Sequence, residues 1–152
     1  MRRKEKLIAE ASEINDILER GEVIRLAMVD KGEPYLVPMS YGVKGSVIYV
    51  HCAKEGRKID ALRGNNRVCF EVSCDTELVK KVESCGWTYH YRSVIGFGRV
   101  SFIEDFAEKL IGLSAIMEHY GSDDHSFPDA AVERTLVLRI DIDEITGKKS
   151  PA

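Results

Sequence analysis

The chain has 152 residues, of which 44% are hydrophobic and 31% are charged, values that fit one globular domain, residues 1–152, with a sizeable core. Its formal net charge of −3 lacks the basic excess of proteins that bind nucleic acid or anionic membranes, so we expect neither partner. No apolar run approaches the roughly 20 residues of a membrane span, and we expect a cytoplasmic protein.

The N-terminal half predicts one helix and then three strands. Apolar side chains recur at steps of four, three and four over residues 4–20, which is typical of an amphipathic helix. Three β-rich segments follow, separated by the turn-forming pairs Lys31-Gly32 and Lys44-Gly45. These segments are Glu22 to Asp30, Tyr35 to Val43 and Ser46 to His51. Their order predicts a three-strand meander.

The C-terminal half predicts three more strands and two helices. A short helix from about 56 to 63 precedes a strand at 67–74, and a long strand at 87–103 carries glycines that indicate a bend or bulge. A helix at 105–120, a loop at 121–131 and a strand at 134–145 complete the chain. The fold class is therefore mainly β with flanking helices. Six strands with short connections predict an antiparallel sheet that closes into a barrel.

The start of the short helix carries two adjacent cations, Arg57 and Lys58, directly after a strand. Because a helix N-terminus favours negative charge, this pair is locally unfavourable unless an anion shares the site. Gly56 permits close backbone approach and His51 ends the preceding strand as a further donor. A phosphate site is one interpretation, and two solvated surface charges are the other.

The long strand places Trp87, Tyr89 and Tyr91 on one side, with Arg92 and Ser93 beside them. We call Trp87, Tyr89 and Tyr91 the aromatic wall. Together with Arg92 and Ser93 it would suit a ligand with a planar end and a charged end, although burial of the aromatic rings in the core is the alternative.

Pro38 interrupts another predicted strand, which is typical of an edge strand or a bulge. Unpaired backbone groups there could bind ring heteroatoms, or the distortion could serve packing alone.

Metal and common catalytic motifs are absent from the sequence. The four cysteines form no CxxC pair, so we expect reduced thiols and no zinc site, and the histidines share no metal-ligand spacing. There is no GxSxG, HExxH, P-loop or strand-linked GxGxxG motif, which argues against hydrolase, metalloprotease, nucleoside-triphosphatase and Rossmann functions.

Several segments together resemble one group of proteins. They are PYLVPMSYG at 34–42, IYVHCAKEGRKIDAL at 48–62, RVCFEV at 67–72, YRSVIGFGRV at 91–100 and ITGK at 145–148. The ordered set resembles the nitroimidazole-resistance branch of the pyridoxamine 5′-phosphate oxidase-like, FMN-binding split-barrel superfamily, and the resemblance covers nearly the whole chain.

The resemblance implies a homodimer of six-stranded antiparallel split β-barrels, with an FMN in each of two grooves at the subunit interface. Arg57 and Lys58 would hold the phosphate, with His51 nearby. The strand with Pro38, Met39, Ser40 and Tyr41 would face the isoalloxazine ring. The pocket would be completed by Tyr91, Arg92 and Ser93, which could come from the partner subunit.

The activity implied is that of an FMN-dependent oxidoreductase, in which reduced flavin passes electrons to a small aromatic or nitro-substituted acceptor. His51, followed by Tyr91, is the best candidate for proton transfer. The alternative is a non-catalytic protein that stores or senses flavin or haem on the same fold. Because ITGKKSPA at 145–152 lacks the terminal Arg-Leu-x-Pro motif of true pyridoxamine 5′-phosphate oxidases, vitamin B6 oxidation is not the expected reaction.

Overall fold

The computed structural model describes residues 4–151, so the ends of the predicted domain 1–152 lie outside the described residues. The strands are β1 (Leu7–Ile8), β2 (Ile24–Asp30), β3 (Glu33–Met39), β4 (Gly42–Lys44), β5 (Val47–Cys52), β6 (Arg67–Val79), β7 (Thr88–Ile103) and β8 (Leu136–Ser150). The helices are α1 (Ala11–Arg20), α2 (Arg57–Gly64), α3 (Phe106–His119) and α4 (Asp129–Arg134). None of the helices in this range is long and apolar enough to cross a membrane.

All the strands join one antiparallel sheet in the order β3-β2-β6-β7-β8-β5-β4, and β1 also pairs with β8. The predicted fold class, a mainly β split barrel with flanking helices, is confirmed. The strand count is eight instead of six because β1 has two residues and β4 has three, too few for a periodic signal.

The predicted meander is wrong, because the second predicted strand is two strands. β3 ends at Met39 and β4 begins at Gly42, and they lie at opposite ends of the strand order. Between them Tyr41 is completely buried, and its hydroxyl donates to the carbonyl oxygens of Leu18 at 2.7 Å and Gly21 at 3.1 Å. These bonds fix the crossing of the chain from one end of the sheet to the other.

Gly42 lets α3 approach this crossing closely. A Cβ atom added at Gly42 would lie 2.3 Å from the carbonyl carbon of Ala115, a backbone atom that has no room to move. Any side chain at this position would push α3 away from β4. Two contacts therefore hold the chain in place where the second predicted strand is broken. The buried Tyr41 hydroxyl bonds to two carbonyl groups, and α3 packs directly on the backbone of Gly42.

The ends of other helices and strands differ from the predicted ends, because strand pairing overrides the local sequence pattern. The predicted helix over 4–20 begins only at Ala11, since Leu7–Ile8 pairs with β8 and buries Ile8. β6 and β8 extend beyond their predicted ends, and α4 occupies part of the predicted loop and the start of the last predicted strand. The predicted irregularity in β7 is confirmed by a register shift against β8 between Phe97 and Gly98.

We expect Tyr41→Phe to lower the free energy of unfolding by about 1–3 kcal/mol, because two buried carbonyl groups lose a donor. Burial raises the pKa of the Tyr41 hydroxyl, so it remains a donor throughout the neutral range. Urea denaturation measures the loss. The matched control is Tyr89→Phe, since Tyr89 is 51% exposed and should change stability by less than about 0.5 kcal/mol. Equal stability of the two variants would contradict the anchoring role of Tyr41.

Candidate functional site

The first candidate feature is the N-terminus of α2. Gly56 precedes the helix with φ of 120° and ψ of 171°, a conformation that only glycine adopts readily. No side chain caps this N-terminus, and the backbone N–H groups of Arg57 and Lys58 have no acceptor within residues 4–151. We call Gly56, Arg57 and Lys58 the α2 cradle, because its free N–H groups and two cations can surround an anion.

Arg57 is held from two sides. Its Nε donates to Asp30 Oδ2 at 2.6 Å, and its guanidinium carbon lies 4.3 Å from the centre of the Tyr35 ring. Its terminal nitrogens contact no acceptor among the described residues, and the side chain is 57% exposed. Asp30 offsets part of the repulsion between Arg57 and the helix dipole. The outer half of the guanidinium remains available to a ligand.

Lys58 has no carboxylate partner in the described part of the chain. Its Nζ lies 3.6 Å from Met39 Sδ, which is only a weak acceptor. Desolvation and the charge of Lys58 lower the pKa of His51, so the imidazole is neutral at pH 7. Desolvation also raises the pKa of the Cys52 thiol, an effect that Lys58 partly opposes. The ammonium of Lys58 therefore lies among neutral groups, where it can take up an anion.

The strand beside the cradle is an edge strand. Because β3 stands at one end of the strand order, its outer edge is unpaired among residues 4–151, which agrees with the edge position predicted for Pro38. Pro38 and Ser40 are exposed, while Met39 packs against the core and meets Lys58. The buried side chain of Tyr41 is absent from this surface, contrary to its predicted position in the site.

Arg92 does not lie at the α2 cradle of its own chain, so its predicted place in the pocket requires a second copy. Its Nη1 donates to Asp16 Oδ2 at 2.6 Å and Asp75 Oδ2 at 3.2 Å, and its Nε lies 3.5 Å from Glu13 Oε1. The hydrogen bond from Arg92 lowers the pKa of Asp16. Arg92 thus attaches α1 to the sheet, a structural role that the linear sequence does not reveal.

Tyr91 and Ser93 are also separated from the cradle within one chain. His51 pairs with Val137, which pairs with Ile103 at one end of β7, whereas Tyr91 stands near the other end. About 40 Å of extended strand separate Ile103 from Tyr91. The alternation of burial along β7 places Ser93 on its outward side, whereas Met39 and Lys58 meet on the core side of β3.

Two aromatic residues of the predicted wall lie outside the core. Trp87 is 48% exposed and Tyr89 is 51% exposed, on the hairpin arm between β6 and β7. The Trp87 Nε1 donates to the carbonyl oxygen of Lys81 at 2.9 Å, within the same arm. The alternative prediction, that these aromatic rings are buried in the core, is therefore wrong for Trp87 and Tyr89.

The sheet carries an apolar surface that was not predicted from the sequence. Leu36, Ala27, Cys69 and Phe97 are successive cross-strand neighbours on β3, β2, β6 and β7. We call these four residues the outward row. Leu36 is 54% exposed and Phe97 is 37% exposed. The signal in the sequence was apolar residues on both faces of the strands, which is unusual for a sheet with one face in water.

The sequence model of the pyridoxamine 5′-phosphate oxidase family matches residues 10–149. A crystal structure of a protein named for 5-nitroimidazole antibiotic resistance, from Bacteroides thetaiotaomicron, is 35% identical to this chain, with a TM-score of 0.85 over 94% of this chain and 86% of that one.

Two further structures share the fold at lower identity. The flavocytochrome Anf3 from Azotobacter vinelandii is 23% identical, with a TM-score of 0.84 over 100% of this chain and 72% of that one. The FAD and heme binding protein from Mycobacterium smegmatis is 23% identical, with a TM-score of 0.84 over 97% of this chain and 75% of that one. A curated relative, uncharacterized protein RA0666 of Rhizobium meliloti, is 31% identical over 61 residues, and the match spans only 40% of either chain.

Proposed function

Because this chain belongs to the pyridoxamine 5′-phosphate oxidase family, we propose that it binds FMN, with the phosphate at the α2 cradle and the ring along β3. The observation that carries the proposal is the N-terminus of α2. It begins with two cations, and no side chain caps its backbone N–H groups. The donor set fits a phosphate monoester, since it combines backbone N–H groups, the free end of a guanidinium and an ammonium.

Each residue of the cradle has a distinct task in this proposal. Arg57 is oriented by Asp30 and Tyr35, so its terminal nitrogens need little further ordering to bind an anion. Lys58 supplies a mobile charge beside Met39. His51 is neutral at pH 7 and can donate one hydrogen bond to a phosphate oxygen. The bound flavin would supply the redox chemistry, and these residues would hold it in place.

A homodimer would complete the pocket. Tyr91 and Ser93 lie away from the cradle of their own chain, so they can contribute only from a second copy. The outward row offers the apolar surface that such a copy would cover. We therefore propose that each FMN lies between two subunits, with the cradle from one and the outward side of β7 from the other.

The proposed reaction is electron transfer from reduced FMN to a small aromatic or nitro-substituted acceptor. The similarity to a protein named for 5-nitroimidazole antibiotic resistance, 35% identical with 94% of this chain covered, supports this acceptor class. His51 is the candidate proton-transfer residue from the side of the cradle, and Tyr91 is the candidate from the partner subunit.

The absorption spectrum of the purified protein tests cofactor binding. After FMN addition we expect flavin bands at about 370 and 450 nm. A nicotinamide donor should bleach these bands in the absence of oxygen, and a nitroimidazole should restore them by reoxidising the flavin. A Soret band without flavin bands would contradict the cofactor assignment. A flavin that is bound but is not reoxidised by the nitro compound would contradict the reductase and favour flavin storage.

A further inference from the structure

A charged cavity lies between the end of α2, β7 and the start of α3. Its volume is about 250 Å³. It is lined by Lys54, Arg63, Phe102, Glu104, Lys109 and Leu136. None of these residues belongs to the α2 cradle, although Lys54 stands in the loop that leads to it. We call this space the Lys109 cavity.

Lys109 is the most unusual residue of this cavity. It is only 5% exposed, and within residues 4–151 its side chain forms no hydrogen bond or ion pair. It stands in the first turns of α3, where the helix dipole disfavours a cation. No buried side-chain nitrogen among the described residues lacks a hydrogen-bond partner, so the ammonium of Lys109 is not itself buried and opens into the cavity, where an anion can reach it.

The other charged residues around the cavity do not supply that group. Arg63 lies 5.9 Å from the Phe102 ring centre and forms no ion pair with a described residue. Lys54 likewise has no carboxylate partner in the described range. Glu104 is the one acidic side chain among the lining residues, and it lies beyond ion-pair distance of all three cations. Three cations and one anion leave the cavity with an excess of two positive charges.

We propose that the Lys109 cavity binds the phosphate group of a small phosphate monoester. The fork of Arg63 can bind two phosphate oxygens, and the ammonium groups of Lys54 and Lys109 can neutralise the remaining charge. Phe102 and Leu136 form an apolar part of the wall against which the organic part of the ligand packs. This site is separate from the proposed FMN site and goes beyond the proposed function.

Calorimetric titration of the full-length, FMN-saturated protein tests the site, with inorganic phosphate and phenyl phosphate as probes and chloride at matched ionic strength. We expect both to bind, with phenyl phosphate at least threefold tighter because of the apolar wall. Lys109→Met keeps the buried stem without the charge, and it should weaken both by at least tenfold. Arg63→Gln, a change at an exposed position, should weaken both similarly.

The matched control is Lys44→Met, which removes an exposed cation outside the cavity and should leave both affinities unchanged. Arg57→Ala with Lys58→Ala should also retain phosphate binding, which separates this site from the α2 cradle. If inorganic phosphate binds as tightly as phenyl phosphate, the organic part of the proposal is wrong. Absence of binding to the parent protein, or parent-like affinity in both Lys109→Met and Arg63→Gln, would overturn the site itself.

Discussion

Replacement of both Arg57 and Lys58 with alanine is expected to weaken FMN binding by at least about a hundredfold. A hydrogen bond to a charged group contributes about 1.5–3 kcal/mol, and each 1.4 kcal/mol is a tenfold change in affinity. The loss should be specific to the phosphate, because Arg57 and Lys58 begin α2 and contact β3 only through Tyr35 and Met39, whose side chains pack against the core. Quenching of flavin fluorescence measures the affinities.

Riboflavin provides the first control for this prediction, since it has the ring without the phosphate. Its affinity should change less than threefold in the double variant. Arg134→Ala with Lys44→Ala is the matched protein control, because it removes the same number and types of charge from exposed positions on α4 and β4, outside the proposed pocket. Parent-like FMN affinity in the Arg57→Ala, Lys58→Ala protein would exclude the α2 cradle as the phosphate site.

Introduction of charge into the outward row is expected to give a monomer that no longer retains FMN. Leu36→Glu with Phe97→Glu places two carboxylates on a surface that the proposed second copy would bury, where unpaired charge is strongly unfavourable. Both side chains point away from the core, so the fold itself should persist. Light scattering measures the mass, circular dichroism the fold, and fluorescence the bound flavin.

Ile111→Glu is the control for this second prediction. Ile111 is 44% exposed on α3, away from the outward row, and its replacement should affect neither mass nor FMN binding. If the outward-row variant remains dimeric, this surface is not the interface. If it becomes monomeric but holds FMN as tightly as the parent, the pocket is not shared between subunits.

The fold class was predictable because burial imposes a periodic pattern on the sequence. In β6 and β7, buried residues alternate with more exposed ones, and the matching alternation of residue types along the chain predicts both strands. The break between Met39 and Gly42 was not predictable in the same way. It depends on hydrogen bonds from Tyr41 to carbonyl groups about twenty residues earlier in the chain, and on the backbone of α3.

The residues of the proposed site show the same difference between local and long-range effects. Arg57 and Lys58 were identifiable because two cations at the start of a helix conflict with its dipole, a local effect encoded by adjacent residues. The role of Arg92 was not identifiable, since its carboxylate partners Asp16 and Asp75 are distant in sequence. The sequence alone thus determined the strand and helix types, the barrel class and the cationic start of α2. The tertiary structure decided which strands neighbour one another, which charges are already paired, and that Lys109 lines a cavity with Arg63 and Lys54, because these depend on long-range packing.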